Sequence, residues 1–167
     1  MRHADACDDH EAGKLSATAS LFATQPAGGD RRITARLLNA WADAARGRFP
    51  SWRDMRRADL GPDWNWCFVV DLDAQAEFPH FVYLGQHLAD LSEVYLSREA
   101  WSESLLDLAA TEILSAVERG APLTRDKELA LPDGRRLAFR AIAAPLAEDG
   151  QHVSHVFGAA TGRYLDF

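Results

Sequence analysis

The sequence predicts an α+β domain built on an antiparallel sheet, and three observations lead to that fold class. Residues 123–131, 136–146 and 152–161 are apolar-rich runs joined by Pro132-Asp133-Gly134 and Glu148-Asp149-Gly150, and Asp-Gly between such runs is a strong hairpin signal. The middle run is apolar on both of its faces, so it predicts a strand that is covered on both sides. Two amphipathic helical patterns elsewhere in the chain can supply the two covering layers.

Composition limits the class of protein. The chain has 167 residues, of which 47% are hydrophobic and 26% charged, values typical of one globular domain. The formal net charge of −7 offers no basic surface to nucleic acid or to an anionic membrane, and the arginine-rich residues 46–57 are expected to be a solvated helix face. Two cysteines without a motif, and no signal-peptide or membrane-spanning run, indicate a cytoplasmic protein.

The N-terminal part is predicted to be a tail followed by a helical flank. Residues 1–29 are small and polar, which indicates a flexible tail, and their His, Cys and Asp residues match no ordinary metal-site spacing. From Asp30 to Gly47 an apolar stripe predicts an amphipathic helix that covers the sheet or forms an interface. The stripe and candidate interface residues are Ile33, Leu37, Leu38, Trp41 and Ala44. Ser51 and Asp54 then resemble a capping box and predict a short helical turn.

The rest of the chain completes the element order. Residues 65–72 and 78–85 are rich in aromatic and β-branched residues, which predicts two strands. Residues 86–96 have helix-like spacing, and a long helix is predicted from an N-cap at Ser97 to Gly120. The order is therefore two strands, short helices, a long helix and three strands.

That order, from about residue 64 to residue 161, resembles a PAS domain. The helix over residues 37–46, the Pro50-Ser51-Trp52-Arg53-Asp54 segment and Gly61-Pro62 are similar to the N-terminal part of a bacterial single-domain PAS family. The resemblance implies a five-stranded antiparallel sheet with helices on one face and the N-terminal helix on the other. It divides the chain into a tail (1–29), an N-terminal flank (30–62), a PAS-like domain (63–162) and a C-terminal tail (163–167).

The resemblance also implies a sensory or protein-interaction module without enzymatic activity, in which the sheet and the helices enclose a small pocket. We expect a homodimer that passes its signal to a separate protein. The cofactor is unknown: haem-binding members use a His on the long helix, and flavin photosensors a Cys among the short helices, and this chain has neither at those places. Three interpretations of the interior remain open: it holds a small molecule, it takes part in contact with a partner protein, or side chains fill it completely.

The candidate ligand-binding residues are mainly apolar. They are Phe68, Val70, Leu84, His87, Leu88, Leu91, Tyr95, Trp101, Leu105, Leu108, Ala109, Phe139, Arg140 and Phe157. Each has an ordinary structural alternative, since the apolar members can simply fill the core and Arg140 can pair with Glu128 across the hairpin.

No catalytic or metal-binding motif is found. Asp71 and Asp73 are expected to form a charged turn, and His152 and His155 to lie on the surface. Two alternatives to a sensor remain. One is a structural adaptor with a filled core, and the other is a small-molecule enzyme with a cone-shaped α+β cavity in which Glu112 or His87 acts as acid or base.

Overall fold

The computed structural model of the chain describes residues 29–75, 79–90 and 104–165, with side chains from residue 33 onward. Its elements are α1 (Gly29–Ala45), α2 (Trp52–Met55), a 3-10 helix (Gly61–Trp66), β1 (Cys67–Asp71), β2 (His80–Leu84), α3 (Gln86–Asp90), α4 (Leu105–Arg119), β3 (Leu123–Ala130), β4 (Arg136–Leu146) and β5 (His155–Leu165).

The five strands form one antiparallel sheet in the order β2-β1-β5-β4-β3, which confirms the predicted α+β class and strand number. Pairing of β1 with β5 joins the N-terminal strand pair to the C-terminal meander. Phe68 lies opposite Gly158 in that pairing. A Cβ atom at Gly158 would come within 2.3 Å of the Phe68 ring and 2.5 Å of the Ile142 carbonyl oxygen, so only glycine fits there.

Both Asp-Gly turns form as predicted, with Gly134 and Gly150 in left-handed backbone conformations (φ +86° and +80°). The last strand differs from its predicted bounds of 152–161. The Asp149 carboxylate accepts hydrogen bonds from the backbone N–H groups of residues 151 and 152 at 2.8 and 2.7 Å. These bonds keep both residues in the turn, and β5 begins only at His155. It continues to Leu165, so residues 163–165 belong to the sheet and not to a tail.

Helices cover the two faces of the sheet. Both α1 and α4 contact β4 and β5 but have almost no contact with each other, so they lie on opposite faces. Arg125 and Ala141 lie opposite each other on one face, and Arg125 bonds to Glu112 of α4. We call this the inner face and the α1 side the outer face. Residues 141–146 of β4 are all buried, which confirms the predicted two-sided covering.

The long helix begins later than predicted. Its N-cap is Ser104, whose hydroxyl accepts a hydrogen bond from the Asp107 N–H at 3.2 Å, while the Asp107 carboxylate accepts one from the Ser104 N–H at 2.9 Å. This reciprocal pair of bonds sets the N-terminal end of α4 at Ser104, so the predicted N-cap at Ser97 is wrong for this helix. Ser97 itself lies outside the described residues. Gly120 closes α4 with φ +60°, as predicted.

The segment before β1 also differs from the prediction. Ser51 and Asp54 form the predicted capping box, but α2 spans only four residues. Residues 65 and 66, predicted as strand, instead complete the 3-10 helix that begins at Gly61-Pro62, and the predicted domain boundary at residue 63 falls within that helix.

Candidate functional site

Seven of the predicted ligand-binding residues come together on the inner face of the sheet. They belong to the continuous buried core of the chain, in the part contributed by the inner face of the sheet and by α3 and α4, and each is at most 6% exposed. We call this the inner cluster: Phe68, Val70, Leu88, Leu105, Leu108, Ala109 and Phe139. Periodicity within each strand and helix was sufficient to find them, because all are fully apolar and buried.

Two further candidates border the inner cluster. Leu84 is half-buried on the same face, opposite Phe68. The His87 ring is half-buried, and its centre lies 4.8 Å from that of the Trp66 ring, so His87 packs against an aromatic side chain. Leu91, Tyr95 and Trp101 fall outside the described residues.

The remaining two candidates, Phe157 and Arg140, lie on the outer face. Phe157 is paired with Ala144 and its ring lies 5.9 Å from that of Trp64, away from the inner cluster. Arg140 lies opposite Asp126 and bonds to it at 2.8 Å. The partner that the structure gives Arg140 is thus Asp126, whereas Glu128 was the residue predicted. Glu128 lies opposite Ala138 and forms an ion pair with Arg136.

An aromatic cluster that the sequence did not reveal covers the outer face. Trp52, Trp64 and Tyr83 contact one another with ring centres 5.6 to 5.9 Å apart, and Trp64 contacts Phe157. The Tyr83 hydroxyl donates to the Trp64 carbonyl at 2.9 Å, and burial raises the pKa of Tyr83. A bulge in β2 turns Tyr83 outward although Phe81, two residues away, contacts Phe68 on the inner face. No sequence signal indicates that bulge.

The apolar stripe of α1 packs on its own sheet. Ile33 and Leu37 are 3% and 0% exposed, Ala44 is half-buried against the core, and the Trp41 indole N–H donates to the Pro145 carbonyl at 2.8 Å. Leu38 alone among the predicted interface residues is exposed, at 39%. The stripe therefore serves mainly as the outer covering of the sheet within one subunit.

Backbone hydrogen bonds join the N-terminal flank to the β4–β5 turn. The Phe49 N–H donates to the Gly150 carbonyl at 3.2 Å, and the Ala147 N–H donates to the Pro50 carbonyl at 3.0 Å. The Trp52 N–H donates to the Glu148 carboxylate at 3.0 Å. Together with the Trp41 indole, these groups connect the flank directly to the end of the two central strands.

Several titratable groups of the chain are hydrogen-bonded or buried. Glu112 accepts a hydrogen bond from the Arg125 guanidinium at 3.0 Å, so its carboxylate is charge-paired and faces a cation. The Cys67 thiol is buried, donates to the Asp63 carbonyl at 3.2 Å, and burial raises its pKa well above the ordinary value, which makes a nucleophilic thiolate unfavourable. The Asp71 carboxylate accepts a bond from the Asp73 N–H at 2.8 Å, the charged turn that was predicted.

Within the described ranges, no group of three or more His, Cys, Asp or Glu residues is placed to hold a metal ion. In the same part of the chain, no helix has both the length and the apolar composition needed to cross a membrane. No protein-family model matches the chain, and none of the curated proteins matches it significantly.

Proposed function

We propose that the chain is a PAS-like sensory or protein-interaction module without enzymatic activity. The observation that carries this proposal is the layered packing: one antiparallel sheet has a buried apolar cluster facing α3 and α4 on its inner face and a separate helical flank on its outer face. The chain order of two strands, helices and three strands also agrees with the PAS resemblance. A small apolar ligand would be held among the residues of the inner cluster.

The signal would pass through the sheet to the N-terminal flank. Phe139 of the inner cluster belongs to β4. Pro145, one residue before the end of the same strand, accepts the Trp41 indole N–H at its carbonyl. A ligand that binds better when β4 and β5 are slightly displaced would therefore favour a different position of α1. Such a ligand shifts an equilibrium that exists without it. A separate protein would then recognise the changed flank.

A homodimer is part of the proposal, and two surfaces, on α1 and β3, bear on how the copies would meet. Of the predicted interface residues on α1, only Leu38 has an exposed side chain. The edge strand β3 is unsuitable for two-fold antiparallel pairing with itself. If two β3 strands paired around Asp126, Asp126 would lie opposite Asp126 of the second copy, and Arg125 opposite its Lys127. If they paired around Lys127, Asp126 would lie opposite Glu128 of the second copy. Like charges directly opposite each other destabilise a sheet.

A structural adaptor is the second candidate, since the inner cluster is almost completely buried and can be a filled core. Native mass spectrometry of the full chain, purified from cells of its natural host, separates the two. A sensor retains a small molecule at a defined mass increment. A clean apo mass would favour the adaptor.

A pair of variants on one helix locates such a ligand. Ala109 is 1% exposed and faces the sheet, so Ala109→Leu fills space within the inner cluster, whereas Leu114 is 56% exposed on the other side of α4. We expect Ala109→Leu to lose the bound mass and Leu114→Ala to keep it, with circular dichroism melts confirming that both variants fold. Retention of the ligand by both variants would show that it binds outside the inner cluster.

A further inference from the structure

Two surface depressions meet at the C-terminal end of α1. The first is a cleft of about 520 Å³ between α1 and α2, which we call the cleft, and arginines including Arg46 line it. The second is a crevice of about 490 Å³ between the end of α1 and the β4–β5 turn, which we call the crevice, and Trp41 and Phe49 form its aromatic wall. Arg48 lines both. Each volume is within the range of ordinary small-molecule sites.

Three arginines of the cleft form no salt bridge among the described residues. Arg36 forms a two-pronged ion pair with Asp63 at 2.5 and 2.8 Å. In contrast, the side chains of Arg46, Arg48 and Arg57 form no ion pair or hydrogen bond within the part of the chain that the structure describes. Guanidinium groups of this kind are the usual donors to carboxylate and phosphate oxygens.

The carboxylate of Asp54 interacts with the charges of Arg48 and Arg57 but is already hydrogen-bonded elsewhere. Asp54 accepts hydrogen bonds from the Ser51 N–H and hydroxyl at 3.0 and 2.9 Å. Those bonds hold the pKa of Asp54 below its ordinary value, and Arg48 and Arg57 act in the same direction, so two cations face one carboxylate that is already bonded. Asp43 and Asp59 also line the cleft, but no carboxylate lines the crevice. With Arg36 paired to Asp63, the other charges of the cleft balance, three arginines against three aspartates. The crevice alone has a net positive lining, which comes from Arg48.

The backbone at this junction is unusual. Arg46 has φ +43°, the only described non-glycine residue in the left-handed region, and Gly47 follows with φ +81°. This conformation costs a non-glycine residue about 1 kcal/mol or more. It turns the chain sharply after α1, so that Arg46 lines the cleft while Arg48 lies at the border of cleft and crevice.

We propose that this junction binds a small organic anion that carries a flat apolar group. The apolar group lies in the crevice against Trp41 and Phe49, and the oxyanion, a carboxylate or a phosphate, accepts hydrogen bonds from Arg48 and Arg46. The crevice is bounded by the N-terminal flank on one side and by Gly150 and Gln151 of the β4–β5 turn on the other. The bound anion therefore contacts both and stabilises the attachment of the flank to the sheet. This site is separate from the inner cluster and does not depend on a ligand there.

Phenyl phosphate is a suitable probe because it combines both chemical features in one small molecule. We expect a nitrogen–proton NMR titration of the full chain to shift the Gly47 and Gly150 amides and the Trp41 indole N–H with one saturating curve. Inorganic phosphate and benzyl alcohol, which each carry one of the two features, should bind at least about tenfold more weakly. The proposal is overturned if phenyl phosphate moves none of the three signals, or if inorganic phosphate binds as tightly as phenyl phosphate.

Two arginine variants test the role of charge. Arg48→Gln should weaken phenyl phosphate binding about tenfold, the effect of losing one charge-assisted hydrogen bond. Arg53→Gln is the matched control, since Arg53 is exposed on α2 and lines neither depression, and it should leave the affinity unchanged. Arg48 is also exposed, so both variants should keep the wild-type melting curve. Equal weakening by both variants would mean non-specific attraction to a basic surface and would refute the site.

Discussion

Replacing Leu37 by alanine should lower the free energy of unfolding by about 3 kcal/mol, while the same change at Leu38 should lower it by less than about 1 kcal/mol. The two residues are neighbours on α1, but Leu37 is 0% and Leu38 39% exposed. Truncating a fully buried leucine removes its transfer free energy and leaves a cavity beneath the helix. Truncating Leu38 removes atoms that are already partly in water.

Urea denaturation followed by circular dichroism measures both differences. At about 2–4 °C per kcal/mol for a domain of this size, Leu37→Ala should melt about 6–12 °C below the wild type. Light scattering on the same samples reports the mass. If Leu38 lies in a dimer interface, Leu38→Ala lowers the mass with little effect on monomer stability. Similar stability losses in the two variants would refute the assignment of α1 as the outer covering of the sheet.

Three other changes follow from single contacts. Trp41→Phe keeps an aromatic ring but removes the donor to Pro145, so it should cost about 1 kcal/mol in a denaturant titration; an unchanged midpoint would show that this bond contributes nothing. Gly158→Ala should destabilise the chain by about 1–3 kcal/mol or more, because its Cβ would meet an aromatic ring at 2.3 Å; a wild-type melting temperature would contradict the close packing. Asp54→Asn should melt lower than the wild type at neutral pH. Since folding lowers the pKa of Asp54, this difference in stability should persist above about pH 5 and disappear as the pH falls through and below about 4. A difference that does not depend on pH would refute the role of the carboxylate. The control is Asp43→Asn, because the Asp43 carboxylate accepts no described hydrogen bond.

Local sequence signals predicted the elements whose determinants lie close together in the chain. The Asp-Gly turns, the two-sided middle strand and the Ser51 capping box each depend on a few neighbouring residues, and all three are found. The start of α4 was misplaced because Ser97 and Ser104 are both acceptable N-caps by residue type. Only Ser104 is followed three residues later by Asp107, which completes the reciprocal bonds.

The candidate site was predicted less well because its composition depends on pairing between strands. Alternation within β5 shows that Phe157 and Gly158 point to opposite sides, but not which side faces α4. That choice depends on pairing with β1 and β4 and on which helix packs on which face. The partner of Arg140 likewise depends on the hairpin register. The residue types around Phe81 and Tyr83 do not indicate the bulge that separates these two side chains.

The position of β1 in the sheet has a consequence for how the chain reaches its native state. Cys67 of β1 pairs with Ala159 of β5, about 90 positions later in the chain, and contacts of such separation slow folding. During synthesis, β1 and β2 leave the ribosome long before β5, so β1, whose first four residues are buried in the folded chain, spends that time with one edge open. We expect the nascent chain to need protection by chaperones, and the completed chain to fold in a single cooperative step once its last strand is free.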